Sequence, residues 1–412
     1  MILATVITQH AEEAAFHWLL RDAAVCAPHY DLKDLAKLDD RVEAHIDGLR
    51  IAGAAGWEIV KEELGWQEAG EVFTAAILAF ESGDAERIEE VLEVGVGEIE
   101  LARGVISALG WMTYEQARPQ IDSLLASDVP MRRRIGIAAA AIHRKDPGEA
   151  LKAALVDDDA ALRARALRAA GELGRRDVLS LVKGCVGHED PGVRFWAAWS
   201  ASVLGEMTAV LPLREIALGG GRSAERAADM AARRMPPVNA LVWQKELSND
   251  ATRLRLAAKV AGAIGDPVLV PWLIEMMSND EIARVAGEAF TMITGVDLAY
   301  DDLERDWPEG FEAGPTESPE DEDVSMDADE DLPWPDGNLI SQWWNERGSD
   351  YAPGARHLLG KPMEVESLQD ALKTGRQRQR AAASLELALR QPGQPLFEIR
   401  APGYRQRAAL PA

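Results

Sequence analysis

The sequence has few of the residues that usually carry crosslinks, metal sites or membrane contacts. Only two of the 412 residues are cysteine, seven are histidine, and 6% are aromatic. Cys26 and Cys185 fit neither a disulfide framework nor a zinc motif, which favours a reducing compartment. No apolar run reaches the roughly 18 residues of a membrane span, and the amino terminus lacks a positively charged signal region. We therefore expect a cytoplasmic protein with no membrane contact.

Positive charge is also scarce. The formal net charge is −25 at pH 7, and residues 301–336 alone carry 16 acidic residues against one basic residue. Residues 337–412 are the exception, with 7 acidic and 11 basic residues. Because duplex binding depends on neutralising phosphates, this balance predicts that nucleic acid is not a partner.

The composition is otherwise rich in alanine and leucine, and one helical pattern recurs. In the stretch EDPGVRFWAAWSASVLGE, Asp190 is a candidate N-cap, Pro191 fits the first turn, and Gly205 can end the helix in a left-handed conformation. Similar stretches end at positions spaced by about 30 residues, which predicts eight copies before the acidic segment. The positions predicted to end the eight inner helices are Ala79 or Phe80, Gly110, His143, Gly174, Gly205, Met235, Gly265 and Gly295.

Each copy is preceded by a shorter apolar helix, so the predicted unit is a pair of antiparallel helices. The pattern D-P-x-V-R-x-x-A-A-x-x-x-x-x-L-G, from Asp190 to Gly205, resembles HEAT repeats. The resemblance implies an all-α HEAT-like helical-repeat solenoid, in which stacked neighbours complete one core. It implies little about function, because such repeats occur in scaffolds, transport factors, lyases, hydroxylases and DNA glycosylases.

The two ends of the chain carry a narrower resemblance. Residues Glu12 to Trp57 and Leu396 to Arg407 are similar to the ends of an uncharacterised bacterial HEAT-like family, often encoded beside type VI secretion components. That family implies no chemistry. It suggests an accessory role in effector loading.

Four segments follow from composition and pattern. A solenoid needs caps at its ends, and the acidic segment has too little apolar surface to order itself. We predict an N-terminal helical cap over 1–65, a HEAT-like array over 66–300, an acidic flexible linker over 301–336, and a C-terminal helical cap with a basic tail over 337–412.

Two columns of arginine repeat at the period of the array. In the first, Arg132, Arg163 and Arg194 are spaced by 31 residues, and each follows an aspartate by four positions. We interpret this column as a structural ladder in which aspartate caps a helix and arginine ties one repeat to the next.

The second column is the candidate protein-binding site. Its members are arginines and tryptophans, the residue types enriched at binding hot spots. They are Arg134, Arg165 and Trp196 at equivalent positions, with Arg168 and Trp199 one turn later. The alternative is that the tryptophans only fill gaps beside small alanines.

Motifs for metals and cofactors are weak, so we expect no metal and no cofactor. His188 and Glu189 form one His-Glu pair, where metal-dependent HEAT hydroxylases need several. His17, His29 and His45 in the N-terminal cap can converge with Asp31, but their spacing fits no metal motif, and a capping role is favoured. The stretch GARHLLGKP, residues 354–362, departs from a P-loop in spacing and in its last residue.

The acidic segment has a candidate docking site within the chain. Residues 373–380, KTGRQRQR, together with Arg400, Arg405 and Arg407, form a basic region shortly after it. We hypothesise that the acidic segment docks there, or on Arg132 to Arg134. The alternative is a solvated loop.

These observations favour a non-enzymatic adaptor, chaperone or scaffold that binds another protein. The alternative from another class is a HEAT-repeat enzyme resembling phycobilin lyases or metal-dependent hydroxylases, which needs a pocket that the scattered histidines do not provide. A DNA-lesion glycosylase needs a basic face, and the acidity of the array argues against it.

Overall fold

A computed structural model describes residues 4–314 and 326–410, and nearly all of its regular structure is helical. The chain forms two compact units. Unit 1 comprises Met1–Cys26, Tyr30–Glu206 and Ala388–Ala412, and unit 2 comprises Ala27–His29 and Met207–Leu387. The prediction of an all-α helical-repeat fold is confirmed.

Unit 1 begins with three helices that form one end of its repeat stack. The helix α1 packs against α2, α3 and α4. The helices of unit 1 up to Glu206 are α1 (Ala4–Ala24), α2 (Leu32–Ala52), α3 (Ala54–Glu63), α4 (Ala69–Ser82), α5 (Ala85–Gly95), α6 (Ile99–Trp111), α7 (Tyr114–Leu125), α8 (Pro130–Ile142), α9 (Glu149–Ala154), α10 (Ala160–Glu172), α11 (Leu179–Gly184) and α12 (Pro191–Val203).

The even-numbered helices from α4 to α12 form the inner layer of unit 1. Each of them packs against the next, and α5, α7, α9 and α11 each pack against the inner helix that follows. Small residues are frequent on the inner helices, so the backbones of neighbouring helices approach closely. At Gly104 in α6, a Cβ would lie 2.4 Å from the carbonyl oxygen of Ala69. The core is therefore continuous from one repeat to the next.

Unit 2 repeats the same arrangement. Its inner helices α14, α16 and α18 pack in that order, and α13, α15 and α17 pack against the inner helix that follows each of them. The helices are α13 (Val210–Gly219), α14 (Ala224–Arg234), α15 (Pro237–Ser248), α16 (Leu254–Ile264), α17 (Val270–Met276), α18 (Asp280–Thr294), α19 (Gly337–Arg347) and α20 (Val365–Thr374).

The last part of the chain contributes to both units. A short antiparallel hairpin, β1 (His357–Leu358) and β2 (Lys361–Pro362), lies in unit 2. The helix α21 (Gln377–Arg390) belongs to unit 2 up to Leu387 and to unit 1 from Ala388 onward, and α22 (Gly403–Ala409) belongs to unit 1.

The helix signals read from the sequence are present in the repeats. Asp159 and Asp190 accept hydrogen bonds from the backbone N–H groups of Leu162 and Val193 and so cap α10 and α12. The predicted glycine marks lie just after inner helices with positive φ: 68° at Gly174, 103° at Gly205, 74° at Gly265 and 77° at Gly295. The eight predicted inner helices correspond to α4, α6, α8, α10, α12, α14, α16 and α18.

Some predicted details differ from the structure. Within the predicted N-terminal cap, Gly53, with φ of 58°, separates α2 from α3. Gly110 does not end its helix, because α6 continues to Trp111. The first inner helix continues to Ser82 and is capped by Gly83. Glycine marks a helix end only where the backbone turns left-handed, and spacing alone does not reveal this.

Several of these glycines are also covered by the C-terminal part of the chain. In unit 1, a Cβ on Gly174 would lie 2.6 Å from the carbonyl carbon and oxygen of Gly393. In unit 2, the backbone N–H of His357 donates to the carbonyl oxygen of Gly265 at 2.7 Å, and a Cβ on Gly265 would lie 2.4 Å from the carbonyl oxygen of His357. The backbone of the C-terminal part therefore packs directly on these two helix ends, and a side chain larger than that of glycine would block the contact.

The described part of the acidic segment packs on unit 2. The buried carboxylate of Asp329 accepts from both terminal nitrogens of the Arg255 guanidinium, and Asp327 forms an ion pair of 2.6 Å with Arg284. The Arg284 guanidinium lies over the indole of Trp334 at 4.7 Å. Residues 315–325 lie outside the described residues. These charged contacts go to two arginines of the array. In the basic region 373–380, Arg378 donates to the carbonyl oxygen of Ala328.

None of the helices in the described part of the chain combines the length and the hydropathy of a bilayer span.

Candidate functional site

Unit 1 contains a cavity of about 230 Å³. At ~30 Å³ per water molecule, this is room for about seven waters, or for one side chain with its ionic head group. The lining comes from α1, α6, α8, α10 and the C-terminal segment 398–405. The lining residues include Arg21, Asp22, Arg103, Ser107, Trp111, Arg134, Arg165, Arg168, Glu172, Glu398, Arg400 and Arg405. We call this cavity the arginine pocket.

The repeat period places three of the predicted residues in the pocket together. Arg134 on α8 and Arg165 on α10 are 31 residues apart, so they occupy equivalent turns of adjacent inner helices. Arg168 follows Arg165 by three residues and lies on the same face of α10. The pocket thus contains Arg134, Arg165 and Arg168 of the candidate set.

The pocket holds more positive charge than its carboxylates balance. Seven arginines line it, against Asp22, Glu172 and Glu398. Asp22 is shared by Arg103 and by Arg400, whose Nη2 donates at 3.0 Å. A strongly acidic protein therefore contains a local excess of guanidinium groups.

Glu172 is the buried carboxylate on which two of these arginines depend. It is 4% exposed, and it pairs with Arg165 at 3.0 Å and with Arg168 at 2.7 Å. Burial opposes ionisation of Glu172, but the nearby charges of Arg165, Arg168 and Arg144 outweigh it and bring its pKa to about 2. The carboxylate is therefore ionised at neutral pH.

Three guanidinium groups in the pocket lack full compensation. Arg134 has no carboxylate within ion-pair distance among the described residues, and its guanidinium contacts the sulfur of Met131 at 3.9 Å. Arg165 Nη1 and Arg405 Nη2 are buried without a hydrogen-bond partner in the described part of the chain. Burial lowers the pKa of Arg165 to about 10 and also lowers the pKa of Arg134 and of Arg405. All three remain charged at pH 7, so these donors can bind an incoming anion.

The C-terminal segment closes one side of the pocket. The Arg144 guanidinium donates from Nε to the carbonyl oxygen of Leu396 at 2.6 Å and pairs with Glu398 at 3.0 Å. The buried Arg21 donates to Asp39 at 2.8 Å and to the carbonyl oxygen of Ala401 at 2.9 Å. These contacts fix the position of Arg400 and Arg405, which the basic-region hypothesis had assigned to the acidic segment. In the structure Arg400 pairs with Asp22, and Arg405 donates to His143.

The two predicted tryptophans lie beside the pocket and not in its lining. The Arg168 guanidinium lies over the ring of Trp196 at 4.8 Å, and Trp196 contacts Trp199 edge to face at 5.5 Å. Both tryptophans are half-buried. Trp199 also fills the space beside Gly171, where a Cβ would lie 2.8 Å from its ring. Trp199 therefore packs against Gly171, and Trp196 contacts the Arg168 guanidinium.

The first arginine column has contacts suited to a structural ladder. Arg132 pairs with Glu89 of a preceding repeat. Arg163 lies 2.9 Å from Nε2 of His188, and Arg194 donates to the carbonyl oxygen of His188. Since its other ring nitrogen accepts from the backbone N–H of Asp190, His188 has its ring nitrogens occupied by protein groups.

Sequence reasoning missed four arginines of the pocket as site residues: Arg21, Arg103, Arg400 and Arg405. Arg103 precedes Arg134 by 31 residues and so continues the column, which is a signal that the sequence offered. Arg21 lies outside the column, and Arg400 and Arg405 are more than 200 residues away from it in sequence. For these two the available signal was the excess of basic residues at the C terminus, which does not identify a docking position.

Part of the chain matches a known protein family. Residues 148–233 match the family of HEAT repeats, so this part of the chain is similar to HEAT repeats. No curated protein matches the chain. No solved structure matches it either.

Proposed function

We propose that this protein is a non-enzymatic binding protein that receives an acidic segment of a partner protein in the arginine pocket. Helical repeats of this kind commonly mediate protein interactions, which supports a binding role. The observation that carries the choice of partner is the set of incompletely compensated guanidinium groups: Arg134 has no carboxylate partner among the described residues, and Arg165 and Arg405 each have one buried nitrogen without a hydrogen-bond partner there. A carboxylate is a strong acceptor for such groups because its two oxygens match the planar guanidinium fork.

Trp196 provides the apolar part of the proposed surface. It lies beside Arg168 at the pocket, and aromatic and arginine side chains are the residue types enriched at binding hot spots. The partner segment then contributes an acidic side chain to the pocket and apolar contacts to the half-buried indole.

The proposal is tested best at Arg134, because this residue has no carboxylate partner to leave unpaired. Arg134→Met should leave the free energy of unfolding unchanged or raised, while binding of a hexaglutamate peptide falls by roughly tenfold to a hundredfold. Isothermal titration calorimetry measures the affinity, and urea unfolding measures the stability. Arg118→Met is the matched control, since the Arg118 side chain is 65% exposed on α7 and outside the pocket.

The peptide result is then checked against other anions and other partners. Hexaglutamine should not bind, and the hexaglutamate affinity should fall with salt. If inorganic phosphate binds to the wild-type protein and hexaglutamate does not, the pocket takes a phosphorylated ligand and the proposal is wrong. Binding of duplex DNA at physiological salt would also contradict it.

The finer role follows from the resemblance of the chain ends to a family encoded near type VI secretion components. On that basis we propose an adaptor or chaperone of effector loading in the cytoplasm. Affinity purification of the tagged protein from its native host should recover a protein partner that is lost in Arg134→Met and kept in Arg118→Met. A partner unrelated to secretion contradicts this finer role and leaves the acidic-segment proposal standing.

A further inference from the structure

A second group of polar side chains lies in unit 1 outside the arginine pocket. His10, Glu13 and His17 occur at positions i, i+3 and i+7 of α1 and therefore lie on one face of that helix. His45 on α2 faces them. The sequence had suggested convergence of His17, His29 and His45 with Asp31. The structure instead combines His17 and His45 with His10 and Glu13, while Asp31 is the N-cap of α2.

The distances within this group suit coordination of one ion. One ligand atom from each of Glu13, His17 and His45 lies within 4.8 Å of the others. The Glu13 carboxylate and His17 Nε2 are 3.4 Å apart. Two ligands at 2.0–2.2 Å from a tetrahedral zinc ion are about 3.4 Å apart, so small side-chain rotations bring all three to bonding distance.

The hydrogen bonds of the group are incomplete among the described residues. His17 Nδ1 is buried and has no hydrogen-bond partner there. His10 Nδ1 and His45 Nδ1 face one another at 3.2 Å, so one nitrogen must donate and the other accept. The chain also makes room for this arrangement, because a Cβ on Gly48 would lie 2.6 Å from the ring of His10.

We propose that Glu13, His17 and His45 bind a divalent zinc ion, with His10 as a positioning residue. Two imidazoles and one carboxylate are donors that zinc prefers, and three protein ligands leave the fourth tetrahedral position for water or for a group from a partner. His10 hydrogen-bonds to His45 and fixes the ring orientation, as outer groups do for metal-bound histidines. The site joins α1 to α2, so zinc also strengthens the N-terminal end of the stack.

The test uses the full chain after removal of metal with a chelator. Zinc is titrated by calorimetry, and cobalt(II) is titrated as a spectroscopic substitute whose visible absorption reports coordination geometry. We expect one zinc per chain, an intense tetrahedral cobalt spectrum, and a higher Tm with zinc. His17→Asn and His45→Asn should each weaken zinc binding at least a hundredfold.

The remaining variants separate ligands from neighbours. Glu13→Gln should weaken binding and change the cobalt spectrum, since it removes a ligand. His10→Asn should weaken binding by about tenfold to a hundredfold and keep the spectrum, since it acts through His45. His188→Asn is the matched control and should bind zinc like the wild type. Circular dichroism confirms that each variant is folded.

Two results overturn the proposal. One is the absence of stoichiometric zinc binding and of a tetrahedral cobalt spectrum in the wild-type chain. The other is binding that survives in folded His17→Asn and His45→Asn variants, which would place the ion elsewhere. Both results are independent of peptide binding at the arginine pocket.

Discussion

Replacing Glu172 by glutamine removes the one buried carboxylate that Arg165 and Arg168 share. Glutamine keeps the shape of the side chain and its hydrogen-bonding capacity but not its charge. The variant therefore leaves two guanidinium groups in the pocket without their counter-charge. Breaking a buried ion pair in this way typically costs about 3–5 kcal/mol.

The pKa of Glu172 gives a second value for the same cost. Its folded-state pKa of about 2 lies below the ordinary value of 4.5, so ionised Glu172 stabilises the fold above pH 4.5, and this contribution is lost as the pH falls toward 2. At ~1.4 kcal/mol per pKa unit, the contribution is about 3 kcal/mol at pH 7 and about 1 kcal/mol at pH 3. The two routes agree in order of magnitude.

The assay is urea unfolding of the wild type and of Glu172→Gln at pH 7 and at lower pH, followed by tryptophan fluorescence and circular dichroism. The difference in unfolding free energy should be about 3 kcal/mol at pH 7 and should shrink toward pH 3. Glu149→Gln is the control, because that side chain is 86% exposed and should change stability by at most about 0.5 kcal/mol.

Binding provides an independent measurement on the same variant. Because Glu172→Gln increases the positive charge of the pocket, the folded variant should bind hexaglutamate more tightly than the wild type does. A stability loss below about 1 kcal/mol at pH 7, or a difference that does not change with pH, would refute the role assigned to this carboxylate.

The other predictions concern corners, a buried histidine and the docked acidic segment. In thermal unfolding, Gly174→Ala should destabilise the protein by about 2 kcal/mol or more, because the φ of Gly174 is 68° and a Cβ there meets the C-terminal backbone. Gly184→Ala is the control and should not destabilise the protein, because a Cβ at Gly184 has open space around it. Burial lowers the pKa of His143 to about 4, below its ordinary value of 6.5. The fold therefore has its full stability above pH 6.5 and loses up to about 3 kcal/mol as the pH falls from 6.5 to 4. If the difference in unfolding free energy between the wild type and His143→Asn does not change with pH, this prediction is wrong. Asp329→Asn should weaken the contact of the acidic segment with Arg255 and speed proteolytic cleavage within residues 326–336. An unchanged cleavage rate would count against this contact.

The candidate site was only partly accessible from the sequence. The 31-residue period correctly placed Arg134 and Arg165 at equivalent positions, because a fixed repeat length keeps helical positions in register. The role of these residues in binding stays a prediction. The period did not indicate that Arg400 and Arg405 lie in the same pocket, since these residues belong to no repeat.

The sequence by itself determined most of the helices, the capping by Asp159 and Asp190, the four glycines that end inner helices, and the repeat that stacks them. These features depend on local backbone preferences and on a periodic apolar face, which are written in short stretches of residues. The tertiary structure alone decided which charges meet: Arg144 with Glu398, Arg400 with Asp22, and His45 with His10 and His17. Such contacts join residues far apart in the chain, and they depend on the packing of entire helices, which no local pattern specifies.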